Sequence, residues 1–152
     1  MSCWMSCLRR MVVPLVVVVV WIMTSDFLVH GVLLAPAYLE TASLWRSQVE
    51  MAQNLPVMLA GQFFFGLFFV AVLLMACVGH WCRGAKLGFL MGGFLAASTL
   101  VVYAVQPIPT GILMAWAASY IGQYTVAGAL VGLANRTPKC EKTCDKTNGC
   151  QA

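Results

Sequence analysis

Four stretches of this chain, 11–34, 55–79, 86–106 and 111–134, are each long and apolar enough to cross a hydrocarbon layer as a helix. A layer about 30 Å thick takes about 20 helical residues. Lipid admits only backbones that satisfy their own polar groups, so helices or closed barrels are the choices. Segments of this length exceed barrel strands, and the run 16–20, all valine, is read as helix despite its strand preference. Composition agrees, with 61% hydrophobic and 9% charged residues. A soluble domain carries about 25% charged residues. Soluble enzymes, disordered chains and nucleic-acid partners are thereby excluded. The expected fold class is all-α, a polytopic membrane protein with four transmembrane helices and the lipid bilayer as its first partner.

Orientation follows from the basic residues beside the helix ends. Arg9, Arg10, Arg83, Lys86, Arg136, Lys139, Lys142 and Lys146 all fall on one side of a four-crossing topology, and Arg46 alone falls on the other. This places both termini in the cytoplasm of a bacterial inner membrane. Residues 1–10 form a short cytoplasmic segment, 11–134 the membrane domain and 135–152 a flexible tail. A cleaved signal peptide fits less well, because the first apolar run is too long and its removal would oppose the termini.

The outer connection, 36–54, is more than linker. Tyr38, Ala42, Trp45, Val49 and Ala52 recur at helical spacing, and Arg46 precedes Glu50 by one turn. This predicts a helix on the outer surface with Tyr38 and Trp45 at headgroup level, serving as an anchor or as a lid. The connection Pro107-Ile108-Pro109-Thr110 makes the third and fourth helices antiparallel neighbours.

Asp26 is the one acidic residue within a spanning segment, and such a group is a functional candidate by default. His30, four residues on, shares its helix face. Counting about 1.5 Å per residue, Gln62, Ser98, Thr99, Tyr103, Ser119, Tyr120 and Gln123 lie at comparable depth in the outer leaflet. The layer suits an interhelical hydrogen-bond network, or a pocket for a small ligand or cation. Gly84, Gly88, Gly92 and Ala96, with Gly128 and Gly132, form small stripes for close helix packing, within one chain or between copies of a homo-oligomer or larger complex.

Cysteines gather on the cytoplasmic side, which disfavours disulfides. Cys77, His80 and Cys82, with Cys140, Cys144 and Cys150 on the tail, offer soft ligands for a thiophilic ion as cofactor or cargo. No nucleophile–base set, phosphate loop or cofactor motif points to an enzyme. The expected function is an accessory subunit or a small-ligand-binding membrane protein. Thiophilic metal transport is the alternative, and proton-coupled transport through Asp26 and His30 the third.

Along Asp26-x3-His30-Gly31-x2-Leu34-x3-Tyr38-x2-Thr41-x2-Leu44-Trp45-Arg46 the chain resembles a family of uncharacterised small bacterial inner-membrane proteins. The glycine-rich third helix, the Pro-Ile-Pro turn and Gln123-Tyr124-x3-Gly128 extend the likeness over about residues 11–134. The resemblance implies four helices and assigns no activity. The cysteine-rich ends lie outside its pattern.

Overall fold

A computed structural model describes residues 2–135. Among these every regular element is helical, in the order α1 (Ser2–Asp26), a π-helical stretch (Phe27–Leu33), α2 (Ala35–Glu40), a 3-10 turn (Ala42–Leu44), α3 (Gln48–Gln53), α4 (Leu55–Met75), α5 (Trp81–Val105) and α6 (Thr110–Ala134). Three spans, Arg10–Leu33, Leu55–Met75 and Trp81–Val105, are long and apolar enough to cross a membrane. Helix α6 matches them in length and carries no charge, but Ser119, Tyr120, Gln123, Tyr124 and Thr125 interrupt its apolar run. It is also the most enclosed helix, burying Ile112, Leu113, Gln123, Tyr124, Ala127, Gly128, Val131 and Gly132.

Helices α1, α4 and α6 meet around a core of Val18, Ile22, Phe69, Val70, Leu73, Val78, Tyr124, Ala127 and Val131. Helix α5 lies against the outer flank of α6, and glycine makes this possible. A Cβ at Gly84 would overlap the Gly128 carbonyl oxygen, one at Gly88 the Tyr124 carbonyl, and one at Gly128 the Gly84 carbonyl. The small stripes therefore join within one chain, as an antiparallel pair closed by the Pro107–Pro109 turn.

Helix ends depart from the sequence expectation in physically clear ways. Helix α4 stops at Met75, not near Gly79. Cys77 takes the left-handed conformation, φ 51°, its N–H donates to the Leu74 carbonyl at 3.0 Å and that of Val78 to Leu73 at 3.1 Å. This is the Schellman termination, completed by the buried Leu73 and Val78 side chains. Cysteine occupies a place that glycine fills at lower cost. Cys77→Gly is accordingly expected to raise the unfolding free energy by about 1 kcal/mol, read by denaturant titration in detergent; a destabilised variant contradicts this account.

Helix α5 begins at Trp81 rather than Lys86, because His80 caps it, its Nδ1 accepting from the Cys82 backbone N–H at 3.2 Å. Likewise α1 begins by Ser2, so most of the segment expected to precede it is helical.

The outer connection is not one helix. It breaks between Trp45 and Ser47, and α3 restarts on a capping box, with Ser47 Oγ accepting from Glu50 N–H and the Glu50 carboxylate accepting from Ser47 N–H at 3.0 Å. Ser47-x2-Glu50 carries that signal in the sequence. The Ser47 backbone N–H, then its hydroxyl, holds the Glu50 carboxyl below its usual range. Its contribution is therefore present above the ordinary carboxylate pKa and lost as pH falls through the lowered value. Protection factors of the α3 amides should drop across that window, and should be low at all pH in Ser47→Ala.

Candidate functional site

The polar residues of α1, α4 and α6 converge on Asp26. Gln62 Nε2 donates to one carboxylate oxygen at 2.6 Å, and Gln123 Nε2 donates to the other at 2.8 Å. Gln123 also reaches Ser25 Oγ at 2.7 Å and the Ile22 carbonyl at 3.1 Å, so its two amide hydrogens are shared among three acceptors. Trp21 Nε1 donates to the Gln123 backbone carbonyl at 2.9 Å, which fixes α1 against α6 at this level. Gln123 is buried, while Asp26 and Gln62 are half-buried. Among the described residues no lysine, arginine or histidine hydrogen-bonds or ion-pairs with the Asp26 carboxylate, though His30 is close enough to feel its charge. Tyr120 is half-buried beside this node, close enough to feel the Asp26 charge.

A second group lies one layer further out. The Tyr38 hydroxyl is 2.6 Å from His30 Nδ1 and accepts from Trp116 Nε1 at 2.7 Å. The rings of His30 and Tyr38 are stacked with centroids 6.1 Å apart, Tyr38 meets Trp45 edge-on at 5.3 Å, and Trp45 meets Trp116 at 5.9 Å. Trp45 Nε1 in turn donates to Thr41 Oγ1 at 2.9 Å. Burial pushes the Tyr38 phenol above its ordinary pKa, with the Trp116 N–H acting the other way, so it remains protonated at neutral pH. Because indole N–H only donates, the Tyr38 proton turns toward His30, and a neutral His30 ring then carries its own proton on Nε2. Tyr38→Phe removes both bonds and should free the Trp116 indole. A shift of tryptophan emission, with α-helical content unchanged, is the expected result; an unaltered spectrum opposes it.

Asp26 and His30 are thus neighbours without a direct hydrogen bond. Between them the helix widens into its π-helical stretch, with Leu34 N–H reaching back to Val29 O at 2.8 Å. That alters the phase on which a shared helical face depends. Wide turns of this type occur frequently at functional sites.

Other expected members lie elsewhere. Tyr103 is exposed on α5 and only 3.4 Å from the Thr110 hydroxyl. Ser98 and Thr99 donate to backbone carbonyls of their own helix. With α5 on the far flank of α6, the third spanning segment contributes nothing to the Asp26 node. Ser119 likewise bonds the Trp116 carbonyl of its own helix. Arg46 is exposed at the break before α3, and Glu50 is engaged by Ser47 instead.

Cys77, His80 and Cys82 form no metal-holding group, and no such group of three occurs among the described residues. Cys77 serves the α4 terminus and His80 Nδ1 the α5 cap. Cys140, Cys144 and Cys150 lie outside the described residues. Conversely, Trp116, Trp21 and Ser25 belong to the site without having been singled out. Trp116, Tyr120 and Gln123 follow one another at four and three residues, a stripe on one face of α6 that the sequence does display.

Comparison with family models, curated proteins and solved structures found no match.

Proposed function

We propose that this chain is a non-enzymatic integral membrane protein that binds a small cation at Asp26. It crosses the bacterial inner membrane four times, with both termini in the cytoplasm and the short outer helices capping the site. One observation carries the proposal: a carboxylate within a membrane span is gripped on both oxygens by neutral amides from two other helices, and among the described residues no basic side chain hydrogen-bonds or ion-pairs with it, His30 acting on it only through space. A negative charge at that depth is costly unless completed. A cation small enough to reach a half-buried carboxylate completes it. The one-sided basic residues support the orientation. The enclosed position and uncharged length of α6 support the fourth crossing.

Trp21, Trp45 and Trp116 border the site, so tryptophan emission reports on it. Purified protein is titrated with sodium, potassium and methylammonium ions at fixed ionic strength. A saturable change with one of them, absent in Asp26→Asn, is expected. Constant emission with all three, or an equal response in Asp26→Asn, overturns the proposal.

The contact between Tyr38 and His30 favours a second reading, in which the cation is a proton and the site serves proton-coupled transport. Protonating His30 at Nδ1 would turn the Tyr38 hydroxyl away and disturb Trp116. Emission then titrates with the His30 imidazole. Persistence of that titration in both Asp26→Asn and His30→Gln removes this reading.

A further inference from the structure

The end of the bundle opposite Asp26 carries a groove of about 420 Å³ on the flank of α5, lined by Cys82, Ala85, Lys86, Phe89, Leu90 and Thr125. Its walls are apolar. Thr125 donates its hydroxyl to the Ile121 carbonyl at 2.6 Å, so even this residue spends its polar group on its own helix. Lys86 stands among the lining residues, and Arg83 is on the adjoining face of α5, three residues earlier. Both are exposed, and neither makes an ion pair or hydrogen bond among the described residues. The described acidic side chains, Asp26, Glu40 and Glu50, all belong to the opposite end. An apolar trough headed by two cations that no described acidic side chain offsets, at the depth where a membrane turns from acyl chains to headgroups, matches one class of molecule in charge and in polarity.

We propose that this groove binds a single anionic phospholipid, the acyl chain lying along Ala85, Phe89 and Leu90 and the phosphate meeting Lys86 and Arg83. Basic clefts between spanning helices on the cytoplasmic side favour anionic headgroups in this way. The apolar trough orders a chain that a bare basic patch would leave in the bulk. Phe89 and Leu90 therefore gain a partner that a neutral lipid would fill without preference. The proposal rests on membrane embedding and on the proposed cytoplasmic placement of this end, and is independent of the Asp26 site.

The test uses the full chain in detergent, with thermal unfolding followed while phosphatidylglycerol, phosphatidylcholine or inorganic phosphate is added. Phosphatidylglycerol is expected to raise the unfolding temperature saturably, and the other two are not. Lys86→Gln and Arg83→Gln should each weaken the apparent affinity about fivefold, and Lys86→Arg should retain it. Ala85→Leu, which fills the trough and keeps both charges, should abolish the preference. Equal stabilisation by both lipids overturns the proposal, as does protection by phosphate alone. Full affinity in the double Lys86→Gln/Arg83→Gln variant overturns it also. Asp26→Asn keeps the lipid response whatever becomes of cation binding, which separates the two sites.

Discussion

Gly88→Val is expected to separate α5 from α6 and to be among the most costly substitutions in the bundle. A Cβ at Gly88 would enter the Tyr124 carbonyl oxygen and crowd the Thr125 backbone. Backbone cannot rotate away as a side chain can, so the helices must move apart along their shared length. Overpacking in an adaptable core costs about 1–3 kcal/mol, occasionally more. Here the partner is rigid, and the upper end of that range or beyond applies. Gly93→Ala supplies the control on the same helix, since nothing lies within 4 Å of its added Cβ. It should be neutral, or stabilising by up to about 1 kcal/mol from helix propensity. Unfolding in a graded series of sodium dodecyl sulfate in bicelles measures both. Equal losses at Gly88 and Gly93 would show that propensity, rather than close approach, governs these glycines.

Gln123→Leu is the second large effect, and its size decides how Asp26 is held. An interhelical hydrogen bond in a membrane is worth about 0.6 kcal/mol on average and at most about 1.7. Gln123 serves Asp26, Ser25 and the Ile22 carbonyl together, and its loss leaves a half-buried carboxylate with Gln62 alone. Stranding a charge costs more than losing a neutral contact. A loss of about 2–4 kcal/mol is therefore expected, on the same unfolding scale. Adding Asp26→Leu should return part of it, because the stranded group is then gone. A loss no greater than that of an average contact, with no recovery in the double variant, would mean that Gln123 does not hold the charge.

Much of the architecture was legible in residue patterns, and the failures share a cause. Hydropathy located the long helices because each must match a fixed thickness, and the stripe Gly84, Gly88, Gly92 announced close packing. The stripe could not name its partner, since a second copy and α6 offer the same small residues. The apolar run carried α4 on to Gly79, because Ala76, Cys77 and Val78 are themselves apolar, yet the helix ends earlier with Cys77 in the left-handed conformation and Leu73 packed on Val78, which hydropathy does not register. Depth along the helices grouped Asp26, Gln62 and Gln123 correctly but admitted Tyr103, because depth says nothing of azimuth. Helix α5 turned out to be the flanking member, and only the order of helices in space reveals that.

The partners of Asp26 also arrive at very different moments of synthesis. Gln62 is 36 residues downstream and Gln123 is 97. At about 5–20 residues per second, the carboxylate waits roughly 5–20 seconds in a nascent chain for its second amide. Helices α5 and α6, joined by four residues between Val105 and Thr110, can zip together as soon as both are inserted. The α1–α6 seam can close only once α6 has been made, and until then Gln62 is the one amide available to the acid.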